Sequence, residues 1–217
     1  MKDLVIFGAG GFANGDLTWL IEDINSEKKQ WNILGYIDDD VNNHGKIINT
    51  YEVLGGLEWL SKRNSIHCVI GIGNGKIRKM VAEKIKHYII DFPSLIHPSV
   101  IKSKHIVIGQ GCMICAGSLI SGGVSIGDQV IINLDCTIGH DVTLENYTTI
   151  APGAHLSGFV KVEQFGDIGT GTSIIQGLTI GENTVTGAGA VVIKDIPPNC
   201  TAVGVPAKVV RDRGAEG

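Results

Sequence analysis

The spacing of apolar residues divides the chain into two parts with different periods. Up to about residue 92, short apolar runs alternate with segments in which apolar residues recur every three or four positions, as they do in amphipathic helices. The predicted strands and helices alternate, and in chain order they cover 4–10, 15–27, 31–39, 53–63, 66–74 and 76–88. Such alternation predicts a small Rossmann-like α/β unit built on a parallel sheet.

From Val107 onward the period is six. Residues 107–196 divide without a gap into fifteen hexads, from VIGQGC to VVIKDI, and the second position is Ile, Leu or Val in every hexad except that of Thr186. One aliphatic residue in six, followed by glycine or small polar residues, is typical of a hexapeptide β-helix. Three hexads close a triangular coil, so the repeat predicts about five coils stacked at about 4.8 Å. We therefore predict two domains, residues 1–92 and 93–217, the second ending in a tail.

Composition narrows the classes of function that fit this pattern. The chain has 217 residues, 30 of them glycine, and a net charge of −4, which argues against a general nucleic-acid-binding protein. No apolar run approaches about 18 residues, so no membrane-spanning helix is expected, and the first residues fit a strand better than a secretion signal. The five cysteines include one C-x-x-C pair without a second pair at zinc-binding spacing. We expect plain thiols in a reducing cytoplasm.

One hexad, TIGHDV, contains residues that the repeat does not require. His140 occupies the fourth position, beside the corner, where a side chain can project outward from the prism. Histidine changes charge near neutral pH and therefore suits proton removal. Asp141 follows directly and can hydrogen-bond one ring nitrogen, which would fix the tautomer. The alternative is a solvated histidine at a corner.

A glycine-rich loop, GAGGFANGD, follows the first predicted strand and opens a helix. Its amide groups and the helix dipole can hold an anion. Asp38 and Asp39 end the second predicted strand, where a ribose-binding carboxylate would lie. An NAD site is one interpretation, but only about 90 residues precede the hexads, which is too short for a complete dinucleotide-binding domain.

The glycine loop, the hexads and the segment GAGAVVIKDIPPNCTAVGVPAKVV (187–210) together resemble one family, and the similarity covers roughly residues 3–210. It is the family of sialic-acid O-acetyltransferase-like sugar acyltransferases, which includes N-acetyltransferases of nucleotide-linked 4-amino sugars. The resemblance implies an α/β nucleotide-sugar-binding domain followed by a left-handed parallel β-helix. It also implies acetyl-CoA as co-substrate, no metal, and a homotrimer with active sites between subunits.

The resemblance also implies roles for single residues. It gives His140 as general base, Asp141 as its partner and Gly158 as oxyanion donor, although Gly158 could equally be a corner glycine. The implied acetyl-CoA-binding positions are Thr149, His155, Gly169, Thr170, Ala188 and Lys208. The implied positions for the nucleotide-linked sugar are Gly8, Gly10, Gly11, Phe12, Asp38, Asp39, Gly73, Asn74, Arg78 and Asn133. Some members of the family carry histidine where this chain has Phe12, and NGD at 14–16 replaces a basic–acidic pair, so the nucleotide stays open.

The function that the resemblance implies is acetylation of the amino group of a nucleotide-linked 4-amino-4,6-dideoxy sugar, in a pathway of surface-glycan or lipopolysaccharide synthesis. The alternatives are O-acetylation of a sugar, as in the sialic-acid enzymes, and a non-catalytic scaffold that binds a sugar nucleotide. γ-Type carbonic anhydrases use the same prism with two zinc-binding histidines five positions apart, and no such pair occurs among the seven histidines. Sugar nucleotidyltransferases have a far longer first domain with a basic glycine loop.

Overall fold

The computed structural model describes residues 1–63, 66–89 and 91–214. The chain packs as two compact units that divide after Pro98. The sequence pattern predicts a division after residue 92. Residues 215–217, the end of the predicted second domain, lie outside the described residues.

The first unit contains a five-stranded sheet flanked by helices. The sheet consists of β1 Lys2–Phe7, β2 Trp31–Ile37, β3 Ile47–Ile48, β4 Tyr51–Gly55 and β5 His67–Ile70, and the short strand β6 Leu95–Ile96 lies outside it. The helices of the unit are a π-helical turn Ala13–Leu17, α1 Thr18–Glu27, a 3-10 turn Val41–Asn43, α2 Leu57–Leu60 and α3 Gly75–Ile85. The sheet order is β3-β4-β2-β1-β5, and β1 lies parallel to both β2 and β5.

Burial explains why these segments form this sheet. Leu4, Val5, Ile6 and Phe7 at the end of β1 are at most 2% exposed, as expected for a central parallel strand that is covered on both faces. The helical spacing predicted for 15–27 is confirmed by the π-helical turn and α1, which bury Leu17, Leu20 and Ile21. The α/β architecture predicted for this unit is therefore correct.

The prediction of a helix over 53–63 is wrong for its first residues. Tyr51–Gly55 forms β4, which pairs in parallel with β2, and only Leu57–Leu60 is helical. Two adjacent glycines, Gly55 and Gly56, explain the difference. Glycine inside a helix costs about 1 kcal/mol relative to alanine, and Gly55 takes a φ of +138°, which ends the strand in a turn.

Gly71 allows the end of β5 to approach the π-helical turn. A Cβ at this position would lie 2.5 Å from Cβ of Ala13 and 2.9 Å from its Cα. We expect Gly71→Ala to lower the free energy of unfolding by about 1–3 kcal/mol, because a packed core must shift to accept the methyl group. Urea denaturation measures this. Gly15→Ala is the matched control, because no heavy atom lies within 4 Å of a Cβ there. Equal losses in both variants would contradict the packing explanation.

The second unit is a left-handed parallel β-helix. Its two-residue strands recur every six residues, from β7 Ile101–Lys102 through β8 Val107–Ile108, β9 Met113–Ile114, β10 Leu119–Ile120, β11 Ser125–Ile126, β12 Ile131–Ile132, β13 Thr137–Ile138, β14 Thr143–Leu144, β15 Thr149–Ile150, β16 His155–Leu156, β17 Lys161–Val162, β18 Asp167–Ile168, β19 Ser173–Ile174, β20 Thr179–Ile180 and β21 Val185–Thr186 to β22 Val191–Val192. An antiparallel pair, β23 Cys200–Val203 and β24 Lys208–Asp212, follows it.

Strand pairing fixes the size of one coil. Each strand pairs in parallel with the third strand after it, so that Thr137 lies beside His155, 18 residues further on. On the three faces of the prism the strands follow one another in the orders β7-β10-β13-β16-β19-β22, β8-β11-β14-β17-β20 and β9-β12-β15-β18-β21-β23-β24. Three hexads therefore make one coil, as predicted. The repeat extends at least one hexad before Val107, because β7 is in register with β10 although Lys102 occupies the aliphatic position.

The fifth position of the hexad is the corner. All fourteen residues at this position from 111 to 189 have a φ between +54° and +76°, in the left-handed region, and half of them are glycine. Asn and Asp tolerate this region better than other L-residues, whereas aromatic residues are rare there. Asp141 is one of the tolerated cases, with a φ of +57°.

Small polar side chains at the sixth hexad position donate hydrogen bonds to backbone carbonyls of the next coil. Ser118 Oγ donates to the Asn133 carbonyl at 2.9 Å, Cys136 Sγ to the Ala151 carbonyl at 3.2 Å. Burial raises the pKa of the Cys136 thiol to about 11. All five cysteines are buried as thiols and form no disulfide.

None of the helices in the described ranges could cross a membrane, since none is both long and apolar enough.

Candidate active site

The carboxyl ends of three neighbouring strands bring together most of the positions predicted to bind the nucleotide. β1 ends before the glycine loop, β2 ends before Asp38, and β5 ends before Gly73 and Asn74. Because these strands are parallel and adjacent in the order β2-β1-β5, the residues that follow them lie at one edge of the sheet. This edge is where open α/β sheets bind ligands.

The two aspartates at this edge have partners within the protein. Asp38 Oδ2 accepts the Ala9 amide at 2.9 Å, and its Oδ1 accepts the Asp40 amide at 2.8 Å. Asp38 thereby fastens the glycine loop to the end of β2. Asp39 pairs with Lys84 Nζ at 2.9 Å. Asp39 is half exposed, so its ion pair contributes at most about 1 kcal/mol to stability.

The glycines of this edge leave backbone uncovered. Cβ atoms at Gly10, Gly11 and Gly73 would meet no heavy atom within 4 Å, which means that a ligand can approach the backbone closely there. Gly8 has a φ of +97°, and its amide donates to the Ile37 carbonyl at 2.7 Å, so it forms the turn itself. Phe12, half-buried, begins the helical segment that follows.

Arg78, which the resemblance predicts to contact the substrate, is not a surface residue of this edge, and that contact stays a prediction. Its side chain is fully buried, and Nη1 donates to the carbonyls of Ile72 at 2.6 Å and Gly73 at 2.8 Å. Arg78 thus holds the loop after β5 in place. Asn74 supports the same loop, because its Oδ1 accepts the Ile77 amide at 3.0 Å and caps α3.

The corner that follows β13 carries the histidine–aspartate pair. His140 Nδ1 lies 2.9 Å from Asp141 Oδ2, and the two side chains are 54% and 49% exposed. An ionised carboxylate can only accept, so Nδ1 is the donor in this contact, and the tautomer that it fixes leaves the lone pair of the neutral ring on Nε2. Among the described residues, nothing hydrogen-bonds to Nε2. The pair therefore has the arrangement of a general base and the group that orients it.

Two glycines make room for this pair: Gly158, one coil after His140, and Gly123, one coil before Asp141. A Cβ at Gly158 would lie 2.5 Å from both Cε1 and Nε2 of His140, so the imidazole rests on the bare Cα of Gly158. A Cβ at Gly123 would lie 2.3 Å from Asp141 Oδ1. Phe159 packs against the imidazole at its side, with ring centroids 4.9 Å apart and planes at 90°. The hexad pattern alone does not single out Phe159.

The backbone amides at the fourth hexad position differ in their acceptors from corner to corner. In the corners after β8 and β11, the Gln110 and Asp128 amides donate to side-chain oxygens of Asp128 and Asn146, both at 2.8 Å. The Gly158 amide, beside His140, has no acceptor among the described residues. It is therefore a donor that a developing oxyanion could use.

Comparisons with known proteins agree with this geometry. The family model described as "PglD N-terminal domain" matches residues 3–85. The chain is 32% identical to GDP-perosamine N-acetyltransferase of Escherichia coli O157:H7 in an alignment 216 residues long that covers 95% of each protein. It belongs to the hexapeptide sugar acyltransferases.

Two solved structures resemble this acyltransferase over nearly its whole length. One is a histidine-to-asparagine mutant of perosamine N-acetyltransferase from Caulobacter crescentus in complex with CoA and GDP-perosamine, with 29% identity, a TM-score of 0.88 and 98% of each chain covered. The other is the acetyltransferase domain of PglB from Neisseria gonorrhoeae in complex with acetyl coenzyme A. It has 32% identity and a TM-score of 0.87, with 96% of this chain and 99% of that chain covered.

The positions predicted to bind acetyl-CoA are distributed over several parts of the β-helix. Thr170 and Ala188 are exposed at one corner, 18 residues or one coil apart. The amide of Gly169 donates to Thr186 Oγ1 at 3.0 Å, and a Cβ at Gly169 would lie 2.4 Å from the Thr186 carbonyl oxygen, so this glycine serves coil stacking. Thr149 is half-buried in β15, and Lys208 is exposed at the start of β24.

An open groove of about 370 Å³ runs along the face formed by β10, β13 and β16. His155 lines it, and its Nδ1 lies 2.9 Å from Thr137 Oγ1. The other side chains of the groove are apolar or hydroxylic, among them Leu119, Ser121 and Ser157. Asn133 lies on a different face, half-buried, where its Oδ1 accepts the Leu134 amide at 2.7 Å. The structure thus brings His140, Asp141 and Gly158 together but leaves Asn133 on another face.

Proposed function

We propose that the protein transfers the acetyl group of acetyl-CoA to the amino group of a nucleotide-linked 4-amino-4,6-dideoxy sugar. The observation that carries this proposal is the oriented imidazole of His140, with Nε2 open beside an unpaired amide, in a chain that matches an N-acetyltransferase over 95% of its length. Similarity to an enzyme that acts on an amine favours N-acetylation over O-acetylation.

The reaction that we propose is direct transfer. The neutral amine nitrogen attacks the thioester carbonyl carbon and forms the C–N bond, while Nε2 of His140 takes the proton from that nitrogen. The carbonyl oxygen becomes an oxyanion, for which the Gly158 amide is the donor. The C–S bond then breaks, and the imidazolium returns the proton to the departing thiolate of CoA. Asp141 stabilises the imidazolium between these steps.

We assign the nucleotide of the substrate to the sheet edge of the first unit. The uncovered backbone at Gly10, Gly11 and Gly73 suits close approach of phosphate oxygens, and the helical segment after the loop provides a favourable dipole. For acetyl-CoA we propose the β-helix positions Thr149, His155, Thr170, Ala188 and Lys208. The proposed assembly is a homotrimer with active sites between subunits, which sedimentation tests, since a stable monomer contradicts it.

Release of CoA tests the function directly. The assay mixes the protein with acetyl-CoA and UDP-, dTDP- or GDP-linked 4-amino-6-deoxy sugars, and a thiol reagent detects free CoA. The protein's own cysteines are buried, so they contribute little signal, and a reaction without acceptor measures that background. We expect turnover on one amino sugar, with the acetyl group on nitrogen by mass spectrometry. Turnover only on hydroxyl acceptors would show a sugar O-acetyltransferase. Nucleotide binding without any turnover would show a scaffold.

A further inference from the structure

Three aromatic residues occupy left-handed corners of the β-helix. Tyr147, Phe159 and Phe165 lie at the fifth hexad position with φ values of +61°, +60° and +61°. Bulky side chains rarely adopt this conformation, and the strain persists only where the surrounding structure compensates for it. Glycine meets no such penalty. On the corner of Phe159 it occupies the same hexad position two coils before, at Gly123, and one coil after, at Gly177.

Two of the three aromatic residues compensate for one another. Tyr147 and Phe165 lie one coil apart on the same corner, and their rings stack with centroids 5.9 Å apart and planes at 27°. Their contact explains both rings as packing of the corner. Phe159 lies on a different corner, and its ring contact is with His140.

We propose that Phe159 is a positioning residue for His140, an inference that rests on the proposed function of that imidazole as general base. The hydrogen bond to Asp141 fixes Nδ1 but leaves the ring able to pivot about the Nδ1···Oδ2 line. Gly158 supports the ring from below, and Phe159 contacts it at right angles. The three contacts together leave the imidazole one orientation, with Nε2 above Gly158.

The exposure of Phe159 agrees with this role. The residue is 55% exposed, so burial of its own ring does not account for a phenylalanine at a corner where glycine fits without strain. Perpendicular aromatic pairs stabilise their geometry enough to change an equilibrium about three- to tenfold. We therefore expect the orientation of His140 to depend on Phe159 by a factor of this size.

Phe159→Gly, Phe159→Tyr and Phe165→Gly test the proposal together. Phe159→Gly removes the ring, and we expect kcat to fall about three- to tenfold while KM for acetyl-CoA is unchanged. Phe159→Tyr keeps the ring and is expected to restore kcat. Phe165→Gly removes a ring at the same hexad position with the same φ, away from His140, and is expected to keep wild-type kcat. Crystal structures of the two glycine variants report the orientation of His140 without any substrate.

The outcomes separate this inference from the proposed function. A displaced imidazole and a lower kcat in Phe159→Gly, with recovery in Phe159→Tyr, support the positioning role. Wild-type kcat in Phe159→Gly overturns it, and so does an equal loss in Phe165→Gly, which would indicate a general loosening of the coils. If the wild-type protein turns over no acceptor, the proposed function fails. The crystal structures then decide the positioning role alone, and an unmoved imidazole in Phe159→Gly overturns it.

Discussion

Replacing His140 with alanine is expected to lower kcat by about 10²- to 10⁴-fold, the usual contribution of general acid–base catalysis. Nε2 is the open basic atom beside the Gly158 amide, and Asp141 holds Nδ1 at 2.9 Å. Without the imidazole, the proton of the attacking amine must leave to water. Because His140 is half exposed and lies outside the core, the fold should survive, and thermal unfolding should match that of the wild type. CoA release under saturating substrates measures the loss.

His105→Ala is the matched control for this experiment. His105 is an exposed histidine on the same corner as Asp141, 36 residues or two coils earlier. The Gly123 amide donates to the backbone carbonyl of His105 and not to its side chain. We expect it to retain wild-type kcat. If His140→Ala also retained wild-type kcat, the histidine would be a solvated corner residue and the assignment of a general base would be wrong.

Much of the β-helix could be predicted because every coil makes the same demands. An aliphatic residue at the second position and a residue tolerant of positive φ at the fifth recur for about five coils, so single exceptions such as Thr186 do not hide the period. The period is hidden where one residue breaks the rule near an end of the repeat. Lys102 occupies the aliphatic position of the hexad at 101–106, so the aliphatic pattern starts only at Val107.

The first unit was harder to predict, because its contacts depend on tertiary packing. Val53 and Leu54 fit a short helix by spacing, yet they lie in β4 because β2 offers a parallel partner. Arg78 lies in a helix among lysines, and nothing in that sequence context indicates that its side chain is buried. The buried guanidinium donates to two backbone carbonyls in the loop after β5, and these carbonyls come close to Arg78 only when the chain is folded.

The candidate active site was partly readable from the sequence. His140 and Asp141 stand out because the hexad does not need them. Once a coil is known to contain 18 residues, addition of 18 gives Gly158 and Phe159 as their neighbours. What the arithmetic cannot give is the direction of the side chains. The contact of the imidazole with Gly158 and the perpendicular packing on Phe159 depend on rotamers that only the structure fixes.

The steric role of Gly158 leads to the second large expected effect. A Cβ at this position would lie 2.5 Å from Cε1 and Nε2 of His140, whereas ordinary contacts begin near 3.4 Å, so the ring must move by about 1 Å. Misplacement of a catalytic group by about 1 Å can cost about 10²-fold in rate. We therefore expect Gly158→Ala to lower kcat by about 10²-fold. The Gly158 amide remains in this variant, so the loss reports the displaced imidazole and not a missing oxyanion donor.

Gly122→Ala separates this effect from a general disturbance of the coil. Gly122 occupies the same hexad position one coil before His140, and a Cβ there would meet only Ser103 Oγ, at 3.5 Å. Neither glycine has a φ in the left-handed region, so alanine adds no backbone strain at either site and both variants should unfold like the wild type. We expect Gly122→Ala to keep wild-type kcat. Wild-type kcat in Gly158→Ala would show that the imidazole does not act from its position above Gly158, because the added methyl group and the observed ring cannot occupy the same space.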